Sequence, residues 1–144
     1  TRGNASIHRN RTASFGRCWG CGIAYMQKVT RESAVYETDY FFLDYSRQYG
    51  KTYLEDFGRI KEFSRSRLEI LAGLLGGGEG KTLLDAGCAY GPFLAAAREA
   101  GFAARGLDVA EDAVGYVREE LRIPAERGDF LSWNPGETFD AVTW

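Results

Sequence analysis

The chain has 144 residues, of which 44% are hydrophobic and 26% charged, a composition that suits a compact globular protein with a core of its own. Its net charge of −2 excludes a polycation built for nucleic acid, and no apolar run approaches the ~20 residues that a membrane span needs. The start lacks the apolar stretch of a signal peptide, so we expect a cytoplasmic protein.

The first 35 residues form a basic segment that contains a pair of cysteines. Residues 1–34 carry six cations and one anion, a net charge of +5, whereas the remaining residues carry 12 cations and 19 anions, a net charge of −7. Charge runs of this kind are usually solvated, so we interpret the segment as a partly mobile tail in preference to a nucleic-acid contact. Cys18 and Cys21 have a spacing that places two thiolates on one zinc ion, but structural zinc needs four ligands. His8 is a candidate third ligand, and a metal-free loop is the alternative.

Residues 36–78 combine a cluster of aromatic side chains with a long amphipathic helix. Eight aromatic residues fall within residues 36–57, and packing beneath the helix is the simplest interpretation of them. Thr52 and Glu55 have the spacing of a capping box. Apolar residues at three-to-five spacing from Leu54 onward predict a helix, which the glycine run 76–78 ends.

From residue 79 onward, short apolar strands alternate with helices. This alternation, with short links, predicts a parallel sheet with right-handed crossovers. A strand at the end of the sequence has an open edge, so we expect the domain to continue beyond Trp144. The predicted strands are 82–86, 103–109, 123–129 and 139–144, and the predicted helices are 93–100 and 111–121.

The sharpest functional signal is a glycine-containing turn, Asp85-Ala-Gly-Cys-Ala-Tyr-Gly91, between a strand and a helix. Gly87 and Gly91 let the backbone approach a ligand closely. A dinucleotide-binding turn needs Gly-x-Gly-x-x-Gly, which this turn lacks, and Asp85 would repel a pyrophosphate but suits a ligand with an ammonium group. Asp108 lies about 20 positions further on, where an acid can bond ribose hydroxyls. Asp129 ends the third predicted strand, so all three acids fall on the rim where open α/β sheets bind ligands.

These motifs resemble those of class I S-adenosylmethionine-dependent methyltransferases. The resemblance implies that the Gly87–Gly91 turn, including Cys88 and Ala89, wraps the methionine part of S-adenosylmethionine, with Asp85 near its ammonium group. Ala89 departs from the family pattern, in which glycine is commoner. The resemblance extends over residues 49–144 and rests on the motifs at 83–91, 106–109, 128–130 and 139–142.

The resemblance also assigns residues to the adenosine part of the cofactor. It implies that Asp108 binds the ribose hydroxyls and that Val109 packs on the adenine ring. Asp129 would accept a hydrogen bond from the adenine amino group, while Phe130 supplies a neighbouring amide or an apolar wall. A plain turn aspartate is the alternative for Asp129, and a core position is the alternative for Phe130.

The segment before the core commonly closes over the cofactor in this family. Tyr49 and Tyr53 are our candidates for facing the sulfonium, because cations favour aromatic faces. The segment around Cys18 and Cys21 resembles half of a small zinc ribbon found before some of these domains.

The resemblance implies an α/β fold built on a Rossmann-like parallel sheet in strand order 3-2-1-4, with three layers, truncated at its C-terminal end and preceded by a helical, aromatic extension. We divide the chain into a basic segment (1–35), an aromatic segment with the long helix (36–78) and a cofactor-binding core (79–144).

The expected activity is methyl transfer from S-adenosylmethionine to an oxygen, nitrogen or carbon atom of an acceptor. The acidic core favours a small-molecule acceptor over nucleic acid. The motifs give no general base and no oligomeric state. One alternative is a non-catalytic scaffold that binds S-adenosylmethionine or has lost it, and a nicotinamide oxidoreductase is a more distant one.

Overall fold

The computed structural model describes residues 4–9, 13–29 and 40–144. The chain divides into two compact units, Thr1–Val35 and Tyr36–Trp144, each with a sheet of its own. None of the helices within the described ranges is long and apolar enough to span a lipid bilayer. A further division at residue 78 stays a prediction.

The first unit is a three-stranded antiparallel sheet, which the sequence analysis did not predict. Strands β1 (Asn4–Arg9), β2 (Ala13–Cys18) and β3 (Ala24–Val29) pair in that order. A tight turn joins β2 to β3, and in it the Cys18 amide donates to the Ile23 carbonyl over 2.9 Å. The interpretation of this segment as a mobile tail is therefore wrong for the described residues. The sequence does not predict these strands because β1 and β2 each carry a single large apolar side chain, too few to show the alternation of apolar and polar residues that marks a strand.

The second unit begins with a short helical region that leads into the long helix. A single π-helical turn (Tyr40–Asp44) continues into helix α1 (Tyr45–Tyr49), and α2 spans Phe57–Leu75. The predicted capping box forms, since the Thr52 amide donates to Glu55 Oε2 over 2.6 Å. The chain nevertheless makes a turn after this box, so the helix begins later than predicted.

A four-stranded parallel sheet with two intervening helices forms the core of this unit. Its order is β6-β5-β4-β7, which confirms the predicted 3-2-1-4 arrangement. Three of its strands are shorter than predicted, although each lies where the sequence places it. The elements are β4 (Thr82–Ala86), α3 (Pro92–Glu99), β5 (Ala103–Asp108), α4 (Glu111–Glu119), β6 (Ala125–Arg127) and β7 (Ala141–Thr143).

The helices of this unit pack against one face of the sheet. Leu83 is in register with Ala104 and Ala141, so these three side chains share a face, and they join a cluster with residues of α2 and α3. Ala125 lies on the same face and packs with residues of α4. Helices α2, α3 and α4 therefore form a layer on this face of the sheet.

Candidate functional site

The glycine turn after β4 is fixed by hydrogen bonds to the end of the neighbouring strand. The amides of Gly87 and Cys88 both donate to the Leu107 carbonyl, over 2.7 and 3.1 Å. The next amide, that of Ala89, donates to Asp108 Oδ2 over 2.8 Å. Three successive amides therefore point at the C-terminal end of β5, and hydrogen bonds join the turn to Leu107 and Asp108.

Three positions of the turn have a left-handed backbone, with φ of 84° at Gly87, 48° at Ala89 and 78° at Gly91. The two glycines have different surroundings. A Cβ on Gly87 would meet nothing within 4 Å, whereas one on Gly91 would lie 2.8 Å from Val117 and 2.9 Å from Leu121. Gly87 therefore faces open space beside the turn, and Gly91 lets α3 pack closely on α4.

Ala89 keeps the conformation for which glycine is normally selected. A non-glycine residue with positive φ is uncommon and costs about 1–2 kcal/mol. Here its amide bonds Asp108, and its methyl group belongs to a buried cluster that also contains Phe41 and Ala113. The departure from the family pattern therefore leaves the path of the turn intact.

Asp85 is a buried carboxylate at the end of β4. It is 8% exposed, and its Oδ1 accepts a hydrogen bond from the Thr143 hydroxyl over 2.8 Å. Burial raises the pKa of Asp85, against the opposing effects of the Thr143 hydrogen bond and of the Arg67 charge. A cation bound beside Asp85 would therefore relieve an unfavourable buried charge.

Asp108 is buried at the end of β5 and is held by backbone amides. Besides the bond from Ala89, its Oδ1 accepts from the Ala110 amide over 3.0 Å. A carboxylate has about four acceptor positions, so two amide bonds leave capacity for the hydroxyls of a ligand. The charge of Asp108 also contributes to the raised pKa of Asp85, which shows that the two acids interact.

The residues predicted to line an adenine ring lie on the exposed rim next to Asp108. Val109 is 44% exposed and Phe130 52% exposed, so the core interpretation of Phe130 is wrong. The Gly128 amide donates to the Asp108 carbonyl over 2.9 Å, which holds this loop beside β5. β6 ends at Arg127, so Asp129 lies in the following turn, where its Oδ1 accepts from the Leu131 amide over 3.0 Å.

Cys88 directs its side chain into the core. It is 3% exposed and packs among apolar residues of α3, α4 and β6. Burial raises the pKa of its thiol, and the charges of Asp108 and Asp85 act in the same direction. The thiol is therefore held in its protonated form, and Cys88 can meet a ligand at the turn through its backbone only.

A cluster of aromatic rings lies behind the turn, and the sequence analysis missed its centre. Tyr90, the fourth residue of the turn, is 4% exposed and its hydroxyl donates to Asp112 Oδ2 over 2.6 Å. The predicted residue Tyr53 joins this cluster, with its ring centroid 6.2 Å from that of Tyr90. Tyr49 is 54% exposed and lies at the outer edge of this cluster, since its ring is 4.4 Å from that of Tyr45, which in turn is 5.1 Å from that of Tyr53.

A buried carboxylate, that of Asp56, joins α1 to the start of α2. Asp56 is 5% exposed, accepts a hydrogen bond from the Tyr45 hydroxyl over 2.9 Å and lies 2.7 Å from Lys51 Nζ. Burial of the phenol, together with this hydrogen bond, raises the pKa of Tyr45 to about 12. The network fixes α1 against the start of α2 and so positions the aromatic residues between them.

The two predicted zinc ligands lie on the β2–β3 turn of the first unit. Hydrogen bonds from the backbone of Cys21 and Gly20 lower the pKa of the Cys18 thiol, which favours the thiolate that a metal needs. All three cysteines of the chain are free thiols. Within the described part of the chain no group of three or more histidine, cysteine or acidic residues could hold a metal ion, and the structure describes the backbone of His8 but not its side chain.

Comparisons with known proteins find that part of the chain is similar to solved methyltransferase structures. No family model matches the sequence, and no curated protein does. DesVI of Streptomyces venezuelae is 29% identical, with a TM-score of 0.48 over 62% of this chain and 39% of its own. Magnesium protoporphyrin IX methyltransferase (ChlM) of Synechocystis PCC 6803, with bound S-adenosylhomocysteine, is 20% identical, with a TM-score of 0.49 over 72% of this chain and 54% of its own.

A third structure is the sugar N-methyltransferase KedS8 of Streptoalloteichus sp., at 25% identity and a TM-score of 0.48 over 68% of this chain and 36% of its own. The chain is similar to methyltransferases of known structure. It spans between about a third and about a half of the length of these three proteins.

Proposed function

We propose that this chain binds S-adenosylmethionine and forms part of a methyltransferase of class I. The observation that carries the proposal is the joined unit of turn and acid. Three successive amides of the Gly87–Ala89 backbone bond the end of β5, which fixes Asp108 beside a turn whose open side faces away from the core.

The residues present fit each part of this cofactor. The space beside Gly87 accommodates the methionine part, and the buried Asp85, whose pKa is raised by burial, favours a neighbouring ammonium group. Asp108 retains acceptor capacity for the ribose hydroxyls. Val109 and Phe130 supply exposed apolar surface for an adenine ring, and Asp129 is next to them.

When bound, the cofactor supplies an electrophilic methyl group on its sulfonium. The residues of this chain hold and orient it, and orientation is the main source of acceleration in a transfer of this kind. We propose a small-molecule acceptor, because residues 35–144 carry a net charge of −7 and nucleic acid favours a basic surface. Tyr53, in the aromatic cluster, and Tyr49, on its outer side, remain our candidates for covering the sulfonium.

Zinc binding by Cys18 and Cys21 remains a separate proposal. The lowered pKa of Cys18 supports it, and the remaining ligands would have to come from outside the described residues.

Calorimetric titration tests the cofactor assignment directly. We expect S-adenosylhomocysteine to bind with micromolar affinity and NADH not to bind. Asp108→Asn should weaken S-adenosylhomocysteine binding at least about tenfold, or about 1.4 kcal/mol. Glu119→Gln, which removes the same charge from the end of α4, should bind as the wild type does. Far-UV circular dichroism of each variant verifies that it is folded.

Three results would overturn the assignment. They are no binding of S-adenosylhomocysteine to the wild type, binding of NADH alone, and wild-type affinity in folded Asp108→Asn. Conversion of S-adenosylmethionine to S-adenosylhomocysteine in the presence of amines, phenols or carboxylic acids, but not RNA, would then support the proposed acceptor class. Cofactor binding without turnover for any acceptor would favour the scaffold alternative.

A further inference from the structure

Tyr90 occupies an unusual position for a large aromatic residue. It lies within the tight Gly87–Gly91 turn, yet its side chain is 4% exposed and points away from the open side that Gly87 faces. Its backbone is therefore part of the turn, whereas its ring packs in the buried cluster behind the turn. The Tyr90 side chain therefore connects the turn to the elements that its ring touches.

Those elements include the segment 40–57, which we call the aromatic segment. The Phe41 ring meets the Tyr90 ring edge-on at a centroid distance of 5.1 Å, and the Phe42 ring does so at 6.0 Å. Tyr53, from the other end of the segment, lies 5.4 Å from Phe41 and 6.2 Å from Tyr90. The Tyr53 amide also donates to the Phe41 carbonyl over 3.1 Å, so both ends of the segment converge on one ring.

The Tyr90 ring is itself fixed from the opposite side by α4. Its hydroxyl donates to Asp112 Oδ2, and its ring lies 5.4 Å from that of Tyr116. Burial, together with the hydrogen bond to Asp112, raises the pKa of the Tyr90 phenol, so it stays a donor over the whole physiological range. The orientation of the ring is therefore set by α4 and by the turn, and the aromatic segment packs on a surface that these two define.

We propose that Tyr90 is a positioning residue that couples ligand binding at the Gly87–Gly91 turn to the ordering of the aromatic segment. This inference rests on the proposed function. A ligand that fixes the turn fixes the Tyr90 ring and stabilises the packing of Phe41, Phe42 and Tyr53 on it. Because such coupling is reciprocal, the packed segment raises the affinity of the turn for its ligand by the same factor.

Hydrogen exchange of the full chain, with and without S-adenosylhomocysteine, measures this coupling. Peptides from residues 40–57 should exchange more slowly with ligand in the wild type, by a factor within the usual range of about 5–150 for coupled sites. Tyr90→Leu should lose this ligand-dependent slowing and bind the ligand more weakly by a similar factor. Tyr90→Phe, which keeps the ring, should retain most of both effects.

Tyr116→Leu is the matched control, since it removes a ring from the same cluster without changing the turn. It should speed exchange of the aromatic segment with and without ligand, and reduce the ratio between the two states less than Tyr90→Leu does, because the Tyr116 ring contacts Tyr90 and Phe57 but is not part of the turn. A loss of the ratio in Tyr116→Leu equal to that in Tyr90→Leu would overturn the proposal, because general packing would then account for it.

Calorimetry on the same samples distinguishes the failure of this inference from the failure of the proposed function. If S-adenosylhomocysteine binds the wild type but leaves the exchange of residues 40–57 unchanged, the coupling is wrong and the cofactor assignment stands. If it does not bind the wild type, the cofactor assignment fails and the coupling fails with it.

Discussion

Alanine substitutions at Gly87 and Gly91 should separate ligand binding from packing, although the two glycines share one turn. Both have positive φ, so a side chain at either position costs about 1–2 kcal/mol in backbone strain. Alanine also lowers the entropy of the unfolded chain, which offsets about 0.4–1 kcal/mol of this cost. For Gly87→Ala nothing else changes within the protein, because the new methyl group meets no atom within 4 Å. We expect its free energy of unfolding to fall by no more than about 1.5 kcal/mol.

Gly91→Ala carries a further cost. Its methyl group would lie 2.8 Å from Val117 Cγ2 and 2.9 Å from Leu121 Cδ1, well inside the usual separation of about 3.5–4 Å between carbon atoms. Overpacking of this kind adds about 1–3 kcal/mol, so the total loss should be about 1–4.5 kcal/mol. The amount by which Gly91→Ala loses more free energy of unfolding than Gly87→Ala depends on packing alone.

Urea denaturation and calorimetry with S-adenosylhomocysteine measure the two effects on the same samples. Gly87→Ala should be nearly as stable as the wild type but bind the ligand at least about tenfold more weakly, because its methyl group fills the open side of the turn. Equal stability of the two variants would refute the packing argument. Wild-type affinity in Gly87→Ala would refute the placement of the ligand.

Two further predictions concern the buried residues of the site. Asp85→Asn should raise stability at pH 7 and weaken ligand binding, because burial disfavours the charged carboxylate. The pKa of Asp85 in the folded protein lies above its ordinary value of 3.8, so the charged carboxylate destabilises the wild type above the folded pKa and no longer does so below 3.8. The stability advantage of Asp85→Asn in urea denaturation should therefore shrink as the pH falls through that window. An advantage that grows as the pH falls would contradict the raised pKa. Ala89→Gly should change the free energy of unfolding by less than about 1 kcal/mol, since relief of about 1–2 kcal/mol of strain is balanced by the lost methyl burial of about 0.8 kcal/mol and by the entropy of glycine. Ala89→Val should be clearly destabilising in the same assay, because a β-branched residue at positive φ is a true outlier.

The parallel core could be predicted from the sequence because its signals are local. The run from Thr82 to Ala86 is apolar and short, and glycine-containing turns mark where strands and helices end. Strand order followed from the family resemblance and was confirmed. Boundaries were less accurate, as at Thr52, where the capping box forms but a turn intervenes before α2.

The parts that escaped prediction depend on contacts between distant positions. Thr143 bonds Asp85 because parallel pairing sets these two residues side by side, and no local pattern reveals that register. Tyr90 could have been singled out, since a large aromatic residue inside a tight glycine turn must be accommodated somewhere. Its partner Asp112 lies 22 positions further along the chain, and no local pattern pairs the two residues.

The two acids of the site, Asp85 and Asp108, differ in the hydrogen-bond donors that surround their carboxylates. This difference indicates how the site selects a ligand. Asp108 is satisfied by the amides of Ala89 and Ala110, so its role is to hold the turn while offering its remaining acceptor positions. Asp85 has the hydroxyl of Thr143 as its hydrogen-bond donor, and burial still raises its pKa. A ligand with hydroxyl groups alone would satisfy the first acid and leave the second as it is. A ligand that also places an ammonium group beside Asp85 gains from both. The proposed ligand S-adenosylmethionine has a ribose and an ammonium group, whereas the pyrophosphate of a nicotinamide dinucleotide would be repelled by the charge of Asp85.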